Sequence, residues 1–266
     1  MVDRLFSLAD RVVVLTGGAG LLGMRYARAL AEARARVVVA DLDEGGARRV
    51  TQDVDGAFPI GVDVRNAASI QEMIEAALVE FGRIDALVNN AAIDPKFDRD
   101  QAERHVHEFE TYPLAAWSES LAVNLTGAFL CAQAAAPALR ESSGSIVNVS
   151  SIYGLVGPDQ RLYRSDGGRA GTKPPDYSVT KAGLIGLTRY LATYFAGTGV
   201  RVNTLILGGV ENEQDDSFIQ RYSARTPLSR MARPDEYSGA LLFLLSDAAS
   251  YMTGASLVVD GGWTAW

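Results

Sequence analysis

Short apolar segments without polar alternation recur along the chain and alternate with longer segments of helical periodicity. The short segments are rich in β-branched residues, which is typical of strands buried on both faces of a sheet. They lie at residues 11–16, 36–40, 84–89, 145–150, 201–207 and 255–259. The longer segments are rich in Ala and Leu at helical spacing. They lie at residues 21–33, 67–81, 115–139, 178–195 and 234–245.

This alternation predicts an α/β fold, a Rossmann-type doubly wound parallel sheet with helices on both faces. The ligand crevice of such a sheet lies beyond the carboxyl ends of its strands. No linker or repeat divides the chain, so a single domain over residues 1–266 is predicted. Three long polar segments, 94–113, 153–176 and 211–233, follow predicted strands and are expected to form the substrate pocket. Disordered surface insertion is the alternative, but aromatic residues recur in all three and favour packing.

Composition excludes several other classes of protein. The 266 residues are 48% hydrophobic and 21% charged, which is typical of a globular protein and not of collagen-like, disordered or disulfide-rich chains. The net charge of −7 offers no general attraction for nucleic acid or anionic lipid. The N-terminus has no apolar signal segment, and no uninterrupted apolar run reaches the roughly 18 residues of a spanning helix. A cytoplasmic protein without nucleic-acid or membrane partners is expected.

The sequence contains no motif that supports a metal site. His105 and His107 have Glu103 and Glu108 nearby, but no companion motif accompanies them. The single cysteine, Cys131, lies in an apolar helical segment and is predicted to be a buried packing residue and not a nucleophile.

A glycine-rich motif follows the first predicted strand and opens the first predicted helix. Residues 16–23 read TGGAGLLG, and glycines there permit a tight turn and the approach of a pyrophosphate to the helix N-terminus. Asp41 ends the second strand, 24 residues after Gly17, where its carboxylate can accept hydrogen bonds from both adenosine ribose hydroxyls. The same charge repels a 2′-phosphate, so NAD is predicted over NADP. A solvated turn acid is the alternative for Asp41.

Asp63 and Val64 follow another short apolar run. The Asp63 carboxylate is placed to accept a hydrogen bond from the adenine amino group. An Asp before a helix is also a common N-cap, and this alternative stays open.

Tyr177 and Lys181 are spaced i, i+4, which puts both on one face of a predicted helix. They follow the strand that ends at Ser150 and Ser151. A phenol has an ordinary pKa of roughly 10, but a nearby ammonium and a cationic nicotinamide both favour its phenolate. The pattern therefore predicts a tuned general acid/base.

With these motifs the chain resembles the short-chain dehydrogenase/reductase family from about residue 8 to residue 262. The motifs are 16–23, 89–92 (NNAA), Asn124 in VNLTG, 148–151 (NVSS), 177–181 (YSVTK), 201–203 (RVN) and 259–262 (VDGG). The resemblance implies that Tyr177 is the catalytic acid/base and that Lys181 holds the nicotinamide ribose and lowers the Tyr177 pKa. It also implies that Ser151 hydrogen-bonds the reacting oxygen and that Asn124 positions a proton-relay water. The implied reaction is reversible hydride transfer between a secondary alcohol and the nicotinamide.

The resemblance further implies a set of cofactor-binding residues. They are Gly17, Gly20, Leu21, Leu22, Gly23, Asp41, Leu42, Asp63, Val64, Asn90, Ala91, Ala92, Tyr177, Lys181, Gly208, Val210 and Asn212. The chain departs from the family pattern at Leu21, where Gly is usual, at Leu207, where Pro is usual, and at Asn212, where a Thr usually contacts the carboxamide. An insertion at 158–176 also lengthens the interval between the catalytic Ser and Tyr to 26 positions.

That insertion, together with residues 91–97, 150–154 and 260–266, resembles a subgroup associated with flagellin modification and surface-polysaccharide sugar biosynthesis. The implied substrate is a sugar or sugar derivative. Residues 159–176 carry four cationic and three acidic side chains, a formal +1 that slightly favours an anionic sugar derivative. Solvated charges are the alternative.

Three functional hypotheses follow. The first is an NAD-dependent dehydrogenase of a sugar, polyol or related secondary alcohol. The second is a 3-oxoacyl-(acyl-carrier-protein) reductase-like enzyme, against which Asp41 and the net charge of −7 argue. The third is a catalytically silent NAD-binding regulatory or scaffold protein, which the intact set of Asn124, Ser151, Tyr177 and Lys181 disfavours. The small apolar faces of the helices at 115–139 and from Tyr177 predict a helix-packed oligomer, and the resemblance suggests a homotetramer.

Overall fold

The computed structural model describes residues 2–94, 108–163 and 172–266. Seven strands form one sheet: β1 (Val12–Thr16), β2 (Arg36–Asp41), β3 (Ala57–Gly61), β4 (Ala86–Asn89), β5 (Ser145–Ser151), β6 (Arg201–Leu207) and β7 (Ser256–Val259). All neighbouring strands pair in parallel, in the order β3-β2-β1-β4-β5-β6-β7. The strand order reverses between β1 and β4, which places a crevice at their carboxyl ends. The predicted doubly wound parallel sheet is confirmed.

Helices cover both faces of this sheet. They are α1 (Val2–Phe6), α2 (Leu21–Glu32), α3 (Glu44–Gln52), α4 (Ala67–Phe81), α5 (Leu114–Leu121), α6 (Gly127–Ser142), α7 (Pro175–Tyr194), α8 (Asp216–Ser223) and α9 (Ser238–Leu245). Successive residues of β1 pack against different layers because side chains alternate along a strand. Val13 and Leu15 pack in the layer of α2, α3 and α9, whereas Val12 and Val14 pack in the layer of α4, α6 and α7. Burial on both faces explains the absence of polar alternation.

Cys131 lies in α6 within the second of these layers. Its side chain is buried, and burial raises the pKa of the thiol to about 12. A thiol with this pKa is not activated as a nucleophile at neutral pH. The predicted packing role is confirmed.

The structure divides the predicted helix at 115–139 into three parts. A π-helical turn, Ala122–Thr126, separates α5 from α6. Such a turn inserts an extra residue into the helix and is frequent at functional sites. Here its central residue, Asn124, is buried and points to the loop that follows β4.

Several elements were not predicted from the pattern. The polar, glycine-containing segment EGGARRVTQ forms α3, and α8 lies inside the predicted segment 211–233. The short run before Asp63 forms β3, whose residues are only partly buried. Helix α7 begins at Pro175, three residues before the predicted start, because Pro is well suited to the first turn of a helix.

The continuous helical segment Leu114–Ser142 has 29 residues and is apolar enough to cross a membrane by length and composition alone. It meets this criterion of length and composition although polar residues interrupt its apolar residues. Such a segment is also typical of the core helix of a globular protein, and α6 packs on the sheet. Only 33% of its most apolar 18-residue window is buried within the chain.

Candidate active site

A cavity of about 810 Å³ opens at the carboxyl edge of the sheet. Every residue implied as a cofactor contact lines it, and so do the catalytic candidates Ser151, Tyr177 and Lys181. Asn124 is the exception among the predicted site residues, because it is buried and does not line the cavity. The sheet therefore brings together residues that are far apart in sequence.

The glycine turn has different steric demands at its three motif positions. Gly17 has φ +65°, and a Cβ there would lie 2.7 Å from Ala91 Cα. A Cβ on Gly23 would lie 2.1 Å from the Gly17 carbonyl oxygen, so close packing of α2 requires glycine. A Cβ on Gly20 would make only an ordinary 3.4 Å contact with that oxygen. Packing thus requires glycine at two of these positions, and the third faces the cavity.

The N-terminus of α2 fits the diphosphate of a dinucleotide cofactor. Gly20 caps this helix without a side-chain hydrogen bond, and the first turn contains no acidic residue. Leu21, Leu22 and Gly23 begin the helix and line the cavity. The orphan N–H groups and the positive end of a helix dipole both favour an anion at this position.

Asp41 is fixed at the edge of the cavity by backbone hydrogen bonds. Its Oδ2 accepts from the Ala19 N–H at 2.9 Å, and its Oδ1 accepts from the Asp43 N–H at 3.0 Å. These bonds join the end of β2 to the glycine turn. The carboxylate is therefore an ordered group at the edge of the cavity, and its contact with an adenosine ribose stays a prediction.

Asp63 lines the cavity, but its carboxylate is already engaged. Arg65 Nε donates to both of its oxygens, at 2.9 and 3.1 Å, and this hydrogen bonding lowers the pKa of Asp63. The alternative of a helix cap is wrong, because Asn66 Oδ1 caps α4 by accepting from the Ala68 N–H at 2.9 Å. An adenine contact from Asp63 stays a prediction.

Tyr177 lies in the first turn of α7, at the end of β5. Ser151 lies beside it in the cavity lining, close enough for a side-chain hydrogen bond that lowers the pKa of Tyr177. Lys181 lies one turn further along α7, where its Nζ donates to the Val149 carbonyl at 3.0 Å and lies 5.7 Å from the centroid of the Tyr177 ring. Ser150 completes the junction by donating from Oγ to the Lys181 carbonyl at 2.7 Å. Helix α7 and strand β5 together hold the three catalytic candidates in place.

Burial dominates the electrostatics of this cluster. It lowers the pKa of Lys181 to about 8. It also raises the pKa of Tyr177 above its ordinary value, the Asp94 carboxylate raises it further, and the hydrogen bond with Ser151 lowers it. The expected lowering by Lys181 is therefore smaller than the cost of desolvating the phenolate.

Asn124 connects the π-helical turn to the loop after β4. Its Oδ1 accepts from the Ile93 N–H at 2.7 Å, and its Nδ2 donates to the Ile93 carbonyl at 3.1 Å. Nδ2 also lies 3.3 Å from Thr180 Oγ1 on α7. Asn124 therefore positions the loop that carries Asp94, and its implied role toward a relay water stays a prediction.

The loop after β6 keeps a compact geometry despite its departures from the family pattern. Gly209 donates its N–H to Tyr222 Oη at 2.6 Å, and a Cβ there would lie 2.6 Å from the Tyr222 ring. Tyr222 stacks on Trp263 with a centroid distance of 4.2 Å, so Trp263 seals the chain's own core. Asn212 lines the cavity and donates its N–H to Gln214 Oε1 at 2.7 Å.

The described parts of the three long segments close the substrate side of the cavity. Its aromatic wall consists of Tyr153, Tyr163, Phe218 and Tyr222. Sequence reasoning missed the polar element beside this wall, where Lys173 Nζ donates to both oxygens of Asp94 at 2.7 and 2.8 Å. Nothing in a single sequence pairs charges 79 positions apart.

The cations of the segment 159–176 that the structure describes are both in ion pairs. Arg161 pairs with Asp159, and Lys173 pairs with Asp94. Arg164, Arg169, His105 and His107 lie outside the described residues. Among the residues that are described, no group of His, Cys, Asp and Glu could hold a metal ion.

This combination of a doubly wound sheet, a glycine turn and a Ser, Tyr and Lys cluster is matched by known proteins. A family profile described as "Enoyl-(Acyl carrier protein) reductase" matches residues 20–264. The chain belongs to the short-chain dehydrogenase/reductase family and, like its relatives, is a dehydrogenase that acts on CH–OH groups.

Two relatives and one solved structure show the range of the similarity. The chain is 37% identical to cis-4-hydroxycyclohexanecarboxylate dehydrogenase of Sinomonas cyclohexanicum, over 97% of this chain and 98% of the relative. It is 35% identical to L-rhamnose 1-dehydrogenase (NAD(P)(+)) of Azotobacter vinelandii, over 96% and 97% of the two chains. The crystal structure of a gluconate 5-dehydrogenase from Burkholderia cenocepacia in complex with NADP and tartrate matches with a TM-score of 0.86 at 29% identity, over 100% of both chains.

Proposed function

We propose that the protein catalyses NAD-dependent hydride transfer at a secondary hydroxyl group of a sugar, a polyol or a related cyclic alcohol. One observation carries this proposal: Tyr177, beside Ser151 and one turn from Lys181, lines a cavity that is continuous with the glycine turn and Asp41. The relatives that act on a hydroxycyclohexane acid and on L-rhamnose support the substrate class.

The chain's own residues handle the proton of the reaction. When bound, NAD would accept the hydride that leaves the carbinol carbon of the substrate. Tyr177 Oη takes the hydroxyl proton during oxidation and returns it during reduction, and Ser151 holds the reacting oxygen by a hydrogen bond. The ammonium of Lys181 beside Tyr177 favours the phenolate against the cost of burial.

The cofactor is proposed to be NAD and not NADP. The ordered carboxylate of Asp41 is placed to accept hydrogen bonds from ribose hydroxyls and repels a 2′-phosphate. We expect NADH to bind at least tenfold more tightly than NADPH in parallel fluorescence titrations, and Asp41→Asn to narrow the difference. Tighter binding of NADPH by the unaltered protein would contradict the assignment and favour the 3-oxoacyl reductase alternative.

The substrate class is tested by NADH formation. Purified protein with NAD is offered neutral sugars, polyols, sugar acids, phosphosugars and nucleotide sugars, with Tyr177→Phe as the control. We expect turnover of one group, and at least a thousandfold loss in the variant because the phenol that exchanges the proton is gone. NADH binding by the variant should persist. Turnover that survives in the variant would refute the mechanism, and silence across the panel would refute the substrate class.

Two narrower features are also proposed. The resemblance of residues 91–97 and 150–154 to the flagellin-modification and surface-polysaccharide subgroup supports a sugar derivative within the substrate class. The exposed apolar faces of α6 and α7 support a homotetramer. An anionic substrate has less support, since Arg161 and Lys173 are engaged by carboxylates.

A further inference from the structure

The substrate side of the cavity contains a buried ion pair that the proposed chemistry does not use. Lys173 Nζ bonds both oxygens of Asp94 and lies 3.8 Å from the centroid of the Tyr177 ring. The Lys173 side chain is only 3% exposed. The ammonium is therefore enclosed between a carboxylate and the face of the catalytic ring, where the quadrupole of the ring attracts a cation.

Both members of the pair are held in place by other parts of the site. Asp94 follows Ile93, whose N–H and carbonyl are both bonded by the Asn124 side chain. The Lys173 N–H donates to Gln160 Oε1 at 2.8 Å, and Gln160 Nε2 donates back to the Lys173 carbonyl at 3.3 Å. The position of the carboxylate relative to Tyr177 is thus preorganised, as recognition of a substrate requires.

The two charged groups differ in their access to the cavity. The Asp94 side chain is 16% exposed and the Lys173 side chain 3%, and both residues line the cavity. The carboxylate therefore presents the larger polar surface to a ligand. The walls beside it are aromatic and are formed by Tyr153, Tyr163 and Phe218. The Asp94 carboxylate therefore distinguishes strongly between ligands that do and do not place a polar group beside it.

The chemistry of the pair selects the kind of group that it recognises. An ionised carboxylate only accepts hydrogen bonds, so the matching ligand group is a donor. A hydroxyl group donates without carrying charge. A carboxylate or phosphate on the substrate would face the charge of Asp94, and the ammonium of Lys173 is already neutralised by the ion pair.

We propose that Asp94 determines specificity by accepting a hydrogen bond from a second hydroxyl group of the substrate, while Lys173, on the face of the Tyr177 ring, holds the Asp94 carboxylate in place. This inference rests on the proposed function, since it places the reacting hydroxyl at Tyr177. The preferred substrate is then a neutral molecule with at least two hydroxyl groups, and not a monoalcohol or a hydroxy acid.

The test compares ring compounds that differ in one group. With NAD, kcat and KM are measured for cyclohexanol, for the three cyclohexanediol regioisomers and for 4-hydroxycyclohexanecarboxylate. We expect kcat/KM for the best diol to exceed the value for cyclohexanol at least tenfold in the unaltered protein. Asp94→Asn should reduce this ratio about tenfold, because it removes the charged acceptor.

A double variant separates recognition from a purely structural role. Asp94→Asn alone leaves an ammonium buried without its partner, which lowers the melting temperature. Adding Lys173→Met removes that charge, and we expect the melting temperature to recover while the diol preference stays lost. Recovery of both would show that the pair is only structural. Asp159→Asn, which breaks the ion pairs with Arg161 and Arg225 outside the cavity lining, is the matched control and should keep the diol preference.

The remaining outcomes are also decisive. Equal kcat/KM for cyclohexanol and the diols in the unaltered protein, or an unchanged ratio in Asp94→Asn, would overturn the inference and leave the proposed function standing. A preference for the hydroxy acid that disappears in Lys173→Met would overturn it by assigning recognition to the ammonium. No oxidation of these alcohols or of the sugars and polyols of the panel above would overturn the proposed function itself.

Discussion

At the scale of single residues, Lys181 shows a conflict between stability and catalysis. Burial lowers its pKa from 10.5 to about 8. Below pH 8 the lysine is protonated in both the folded and the unfolded chain, so folding carries the full cost of the buried charge. Between about pH 8 and 10.5 the unfolded chain holds a proton that the folded chain has lost, and the stability therefore rises with pH in this window.

We therefore predict that Lys181→Met is inactive but more stable than the unaltered protein at pH 7. The lowered pKa of Lys181 corresponds to a free-energy cost of up to about 3 kcal/mol for burying its ammonium, at 1.36 kcal/mol for each pKa unit. Urea unfolding of both proteins at pH 7, 8, 9 and 10 measures the difference. It should be constant up to pH 8 and shrink above it. A difference that does not change with pH would contradict the assigned titration.

Residue chemistry could be predicted where it depends on local spacing and not where it depends on contacts between distant segments. Tyr177 and Lys181 were found because i, i+4 spacing puts them on one helix face. Asp94 and Lys173 were not, because their ion pair joins two loops. Spacing shows the charge of Lys181 beside Tyr177 but not the burial that raises the pKa of Tyr177, so the expected lowering by Lys181 stays a prediction.

At the scale of elements, the turn between β1 and α2 separates packing from ligand binding. A Cβ at Gly23 would overlap the Gly17 carbonyl oxygen at 2.1 Å, whereas a Cβ at Gly20 would make an ordinary 3.4 Å contact with the same atom. The helix N-terminus that begins at Gly20 lines the cavity. The fold therefore requires glycine at position 23, whereas we expect glycine at position 20 to leave room for a ligand at the helix N-terminus.

A matched pair of variants tests this division. Gly23→Ala should lower the free energy of unfolding by about 2 kcal/mol or more, because the backbone of the turn must move. Gly20→Ala should leave the melting temperature within about 2 °C but weaken NADH binding several-fold, since a methyl group occupies the approach to the helix N-terminus. Thermal unfolding and fluorescence titration measure the two effects. Equal destabilisation by both variants would contradict the division.

Elements with strong periodicity could be predicted, and elements made by tertiary contacts could not. The strands β1 and β5 lack the polar alternation of a half-buried strand and are buried at every position. Helix α3 has two glycines and a mostly polar sequence, so its pattern does not predict a helix. The helix packs on the core through Ala47 and Val50. The π-helical turn at Asn124 depends on the bonds to Ile93, which no local pattern contains.

At the scale of the whole molecule, α7 leaves an unpaired face of small and aromatic side chains. Val179, Ala182, Gly186 and Tyr190 follow one another at helical spacing and are all exposed. Gly186 has open space where a Cβ would point. Only a third of the most apolar window of the neighbouring segment Leu114–Ser142 is buried. Exposed apolar faces of this kind mark sites of helix packing between subunits.

The proposed homotetramer, in which this face is one interface, has a mass near four times the 28.5 kDa of the chain. Sedimentation velocity at micromolar concentration should show the tetramer, and Gly186→Arg should shift the protein to smaller species, because a charged side chain would occupy the packing surface. Val79→Arg, at an exposed position of α4 outside this face, is the matched control and should leave the mass unchanged. A monomeric profile of the unaltered protein would refute the assembly. Dissociation by both variants would refute the choice of α7 as its interface.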